Sequence, residues 1–180
     1  MRSPIPSLLS ALPLLLSACG GNPYGYAPQY VPASDEGAYL EKGVDPGYEE
    51  VRRDPSSHQQ ELIAWFGLVE DVQPAAAGQS RIVMSLHFHQ DRHLCSDQFD
   101  SSCRVTISDK AGGPFSALVT LRGEDRDGRD RLYAGSLVKV YGHVMTEYDD
   151  RGGPIIRAEY YRHWPRGTYV TTLRSGNMRR

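Results

Sequence analysis

The segment Gly135-Ser136-Leu137-Val138-Lys139-Val140-Tyr141-Gly142-His143-Val144 decides how this chain is read. In an extended strand successive side chains point to opposite faces, so Val138, Val140, Gly142 and Val144 align on one face. A glycine inside such a run marks a bend or a close approach of two backbones. Asp149-Asp150-Arg151-Gly152-Gly153 follows as a hairpin-type turn. Pro154 to Tyr161 reads as the last main strand and runs into His163-Trp164-Pro165.

The same pattern extends upstream. Trp65 to Val72 is the first strand, and its alternation breaks between Val69 and Val72, near Gly67, which predicts a bulged, bent strand. Arg81 to His89 is the second. Ile82, Met84, Leu86 and Phe88 share its expected core face; Val83, Ser85, His87 and His89 share the other. Cys103 to Ser108 and Phe115 to Leu121 flank an expected turn over Asp109 to Pro114. Arg122 to Asp130 is a dense acid-base run that reads as a solvated loop. With 18 Gly, 12 Pro and 11 Tyr against 4 Phe, composition favours strands and turns. The expected fold is all-β: a small five- to six-stranded OB-like barrel over residues 61–173, with an open β-sandwich as the alternative. Residues 174–180 are expected to form a tail.

The first eighteen residues read as a signal peptide. Met1-Arg2 is followed by an apolar stretch, Ile5 to Leu16, too short to cross a hydrocarbon layer of ~30 Å as a helix. The stretch ends Leu16-Ser17-Ala18-Cys19-Gly20, the pattern of a lipobox. Small side chains admit the peptidase, and only a thiol can form the thioether to diacylglycerol. Cys19 is therefore the expected lipidation site, and the covalent lipid is the only attached group expected. Gly20 rather than Asp after the cysteine points to the outer membrane. Residues 19–60 lack apolar periodicity and read as a disordered Tyr/Pro/Gly-rich tether, spanning roughly 35 Å on average as a flexible coil. With Cys19 acylated, Cys95 and Cys103 remain as an even pair in an oxidising compartment, which predicts a disulfide. It would contribute ~2.5 kcal/mol by closing a short loop.

The lipobox, the Gly67-Leu68-Val69 opening, the Gly135 to Val144 segment and the ending Tyr161-Arg162-His163-Trp164-Pro165 together resemble the starvation-inducible (Slp-type) outer-membrane lipoprotein family. The likeness covers roughly residues 62–172. The insertion between Cys95 and Cys103 and the long Tyr/Pro segment depart from it. The resemblance implies an outer-membrane lipoprotein without enzymatic chemistry and carries over no binding site.

Two clusters are candidate sites. Tyr161, His163 and Trp164 make an aromatic run that could stack on a glycan. His87, His89 and His93 with Asp97 carry metal-ligating groups, although no metal is expected there, and an oxidised Cys95 supplies no thiolate. Nucleophile-elbow, P-loop and dinucleotide patterns are lacking, so no enzyme is expected. A net charge of −2 argues against nucleic acid as a partner. The reading is a non-enzymatic cell-envelope lipoprotein that binds a membrane through its lipid and an envelope protein or glycan through its barrel. The alternative is a ligand-binding module for glycan or metal. Oligomeric state is not legible.

Overall fold

The computed structural model describes residues 22–96 and 100–177. Its elements are α1 (Gly37–Leu40), α2 (Tyr48–Arg53), β1 (Ile63–Pro74), β2 (Ser80–His89), β3 (Val105–Val119), α3 (Gly123–Asp127), β4 (Leu137–Tyr148), β5 (Pro154–Trp164) and β6 (Tyr169–Thr171). Alternating apolar residues form each main strand, and their inward faces meet in one core of Trp65, Val69, Ile82, Met84, Phe115, Val138, Val140, Val144 and Ile156 among others. The strands pair in the order β2-β1-β4-β5-β3-β6, and β2 also pairs with β3. That extra pairing closes β1, β2, β3, β5 and β4 into a five-stranded barrel, with β6 added alongside the start of β3. The fold is the expected all-β, OB-like barrel, and closure removes the open-sandwich alternative. All pairings are antiparallel except β3 with β5 and with β6.

Bulges bend the strands around so narrow a cylinder. β1 shifts register between Val69 and Asp71, as its broken alternation predicts. At Gly142 the register against β5 also shifts, and a Cβ there would stand 2.2 Å from the Arg157 carbonyl oxygen. Two expectations are corrected. Phe88 is 50% exposed rather than in the core. Register shifts on both sides of His87 upset the alternation, so Leu86 and His87 are both buried. The expected turn at 109–114 is instead the middle of β3. Gly113, at φ 153°, lets the strand bend without reversing, and the Tyr48 ring occupies the space a Cβ would need.

The largest departure is at the N-terminus. Lipidation at Cys19 and the signal peptide lie outside the described residues. From Asn22 to Gln60, however, the expected flexible tether is a strap packed on the barrel. Its tyrosines and valine cannot form a core alone, but the barrel offers an apolar outer surface for them. Phe66, Val105, Ile107, Leu137 and Trp164 form a second buried cluster outside the barrel, and Tyr24, Tyr30 and Tyr169 cover it. Tyr48 and Val51 of α2 join the main core. Trp65 Nε1 donates to the Pro46 carbonyl (3.1 Å), and Tyr48 Oη to that of Pro114 (2.8 Å). Val44 bridges to Ile63. At the other end, the expected tail from 174 begins inside a 3₁₀ turn spanning Thr172–Asn177.

Cys95 and Cys103 form the expected disulfide, beside a bridge between Leu94 and Arg104.

Candidate functional site

The strap is held by a buried polar latch. Lys139 on β4 and Arg162 on β5 point outward from the barrel, where strand alternation puts them, and the strap buries both. Their counter-charge is Glu36, fully buried ahead of α1. Arg162 Nη1 lies 3.0 Å from one Glu36 oxygen, and Lys139 Nζ lies 3.9 Å from the other. The Tyr141 hydroxyl (2.8 Å), the Tyr30 hydroxyl and the Ala33 amide (2.9 Å) all donate to the same carboxylate. Burial works against the charged form of Glu36, but these donors and Arg162 outweigh it and lower the pKa. Burial brings the Lys139 ammonium down to about 8 despite Glu36. Arg162 also donates to the carbonyls of Val31 (2.7 Å) and Pro23 (3.1 Å), so one guanidinium clips three points of the strap.

His89 and His93 sit beside this latch. Their rings are 5.5 Å apart, His89 stacks on Phe66 at 4.7 Å, and both meet Tyr30 edge-on. His89 Nε2 and both His93 nitrogens are buried without hydrogen-bond partners among the described residues. His87 is turned away, with Nδ1 on the Ser108 carbonyl at 2.7 Å, and Asp97 lies outside the described residues. The fold thus brings together two of the four metal candidates. Among the described residues no three His, Cys, Asp or Glu side chains gather as a metal site.

Burial, then His93 and Lys139, hold His89 at about 4; burial and Arg162 hold His93 at about 4. Asp91 pulls weakly the other way on His89. An unfolded imidazole titrates near 6.5, roughly the ordinary value. Between those values the unfolded chain binds protons that the folded chain refuses, so stability is full above about pH 6.5 and falls as pH drops towards about 4. Urea midpoints measured across this window should decline, and the His89→Phe/His93→Phe double variant should decline less. Equal slopes for the two proteins would refute the assignment.

A second polar node fixes the loop between β3 and β4. His163 Nδ1 is 2.7 Å from Asp125 Oδ1, and His163 Nε2 is 3.0 Å from Ser136 Oγ. The Tyr161 hydroxyl donates to Asp125 Oδ2 (2.6 Å), and Arg122 Nε reaches the same oxygen at 3.1 Å. Burial opposes the Asp125 charge, but the hydrogen bonds from His163 and Tyr161 prevail and lower it to about 2. Serine, histidine and aspartate stand in the order of a hydrolytic triad. Ser136 is fully buried, however, and its Oγ also accepts from the Tyr133 amide at 3.3 Å. The node acts as a pin for the loop.

Between strap and loop runs a cleft of about 770 Å³, walled by Tyr24, Asp35, Arg122, Arg129, Tyr160 and His163 among others. Asp125 and His163 border it; Ser136 does not. Tyr160 donates to Asp35 (3.0 Å) and Tyr24 to Asp130 (3.2 Å), so the walls are tied across the opening.

No family model and no curated protein matches this chain.

The aromatic run of the sequence reading is placed differently from its expectation. Trp164 is wholly buried, with Nε1 donating to the Tyr24 carbonyl at 2.9 Å, and Tyr161 and His163 are at most 9% exposed. Of the three only His163 lines the cleft, beside the phenol rings of Tyr24 and Tyr160. Sequence reasoning missed Glu36, Asp125 and Arg162. Asp125 is hidden in a run of like residues. Arg162 does carry a signal: it is a charge on an apolar strand, between Tyr161 and Trp164.

Proposed function

We propose that this chain is a lipid-anchored, non-enzymatic protein of the cell envelope that holds its barrel close against the outer membrane and offers the cleft between strap and loop to a partner. The carrying observation is that the strap is already packed on the barrel at Pro23 and Tyr24. Asn22 is only three residues beyond the lipobox cysteine, and three residues span at most about 11 Å. The Pro23 and Tyr24 carbonyls are already bound by Arg162 and Trp164. An anchored Cys19 would therefore carry the barrel on a short leash, in place of the ~35 Å of a free coil. Two or more acyl chains make such anchoring stable, since each buried methylene contributes about 0.8 kcal/mol. The ordered motifs shared with the starvation-inducible lipoproteins support the same placement. The disulfide suits an oxidising compartment. The enclosed Ser136 supports a role without catalysis.

Mass spectrometry of the protein extracted from membranes tests the anchor. The expected N-terminal peptide begins at Cys19 and carries the mass of diacylglycerol with any further acyl chain. A peptide beginning at Met1, or a bare thiol at Cys19, would overturn the proposal.

A further inference from the structure

A second groove, about 500 Å³, opens between the ends of the disulfide-closed loop, the turn after β5, and β6 with the 3₁₀ turn that follows it. Arg104, Arg166 and Arg174 line it with the hydroxyl-bearing Ser96, Ser102 and Thr171. No described carboxylate lines it. Arg104 is fixed: its guanidinium lies 3.5 Å over the Tyr26 ring and donates to the Ser101 carbonyl at 2.6 Å. Arg166 and Arg174 make no ion pair with a described residue and are exposed. The sequence continues past Arg174 to Arg179 and Arg180. Planar guanidinium groups around hydroxyls suit the oxygens of a phosphate.

The groove's position selects the source of that phosphate. Gly25 N donates to the Asn22 carbonyl at 3.0 Å, a tight turn that keeps their Cα atoms within about 7 Å. Tyr26, under Arg104, is one residue further. The groove's edge therefore lies on the side of the molecule from which the chain leaves towards Cys19. We propose that Arg104, Arg166 and Arg174 form a seat for the phosphate of an anionic lipid headgroup, which orients the barrel on the membrane. The orienting role rests on the lipid-anchor reading above; the seat itself does not.

The test uses the full chain, purified in detergent and reconstituted into nanodiscs of phosphatidylcholine with or without phosphatidylglycerol. Hydrogen exchange is followed at Tyr169–Thr171, within the groove. Each surface arginine near an anionic membrane is worth about five-fold in binding. Exchange should slow about five-fold or more in the anionic discs, and the Arg166→Gln/Arg174→Gln variant should lose that difference. Equal exchange in both discs, or an undiminished difference in the variant, would refute the seat. Protection by inorganic phosphate alone, with none from phosphatidylglycerol, would overturn the lipid assignment. A chain that proves unacylated removes the anchor and leaves these outcomes readable, because the comparison is between headgroups within one preparation.

Discussion

Replacing Glu36 with glutamine should lower the melting temperature by roughly 10 °C. The substitution leaves the shape of the latch and removes the carboxylate that pairs with both of its cations. Arg162 then remains buried without its paired carboxylate, and Lys139 keeps only the weaker pull of Asp45. Breaking a buried ion pair by removing one partner costs about 3–5 kcal/mol, and each kcal/mol shifts the midpoint of a chain this size by about 2–4 °C. The loss should be partly recovered in the Glu36→Gln/Lys139→Met variant, because an apolar side chain carries no charge to strand beneath the strap. Calorimetry gives the midpoints. Hydrogen exchange should show amides of the strap opening ahead of those in the barrel. A midpoint within about 2 °C of the parent would mean that water or movement of the strap already neutralises the cluster.

Trp164→Ala is expected to be nearly as damaging. Trp164 is fully buried between strap and barrel, beside Phe66 and Tyr30 and beneath the Arg162 guanidinium at 4.6 Å. Emptying such a site costs about 3–5 kcal/mol, and the Tyr24 carbonyl also loses its donor. Trp164→Phe, which keeps much of the volume, should cost less than half as much. Denaturant midpoints of the two variants separate this packing role from the glycan-stacking role that the sequence suggests. An exposed stacking residue would change stability by only about 0.5 kcal/mol.

The barrel was legible because its strands have one buried and one outward face, and period-two alternation reports that directly. Val138, Val140 and Val144 could be read from spacing alone, as could the bend near Val69. The disulfide was legible from the parity of cysteines. The strap was not, because the apolar surface that binds it belongs to other parts of the chain. Tyr30 and Glu36 lack periodicity, and the strand residues that bind Glu36, Tyr141 and Arg162, lie more than 100 residues away from it. Phe88 misled for a related reason, since bulges forced by barrel curvature exchange the faces of β2. Tyr161, His163 and Trp164 stand out in the sequence as an aromatic run. Their polar atoms turned out to hold the strap and the loop, which spacing could not reveal.

The latch joins residues at opposite ends of the chain: Glu36 and Arg162 are 126 positions apart, and Tyr24 and Trp164 are 140 apart. Contacts so distant in sequence form slowly, because the intervening loop must close first. On a growing chain the latch cannot close until β5, nearly the last strand made, has emerged. Through most of synthesis the latch residues of the strap stay unpaired with their strand partners. The architecture thus places a delay between making the strap and burying it, and the order of strands sets that delay.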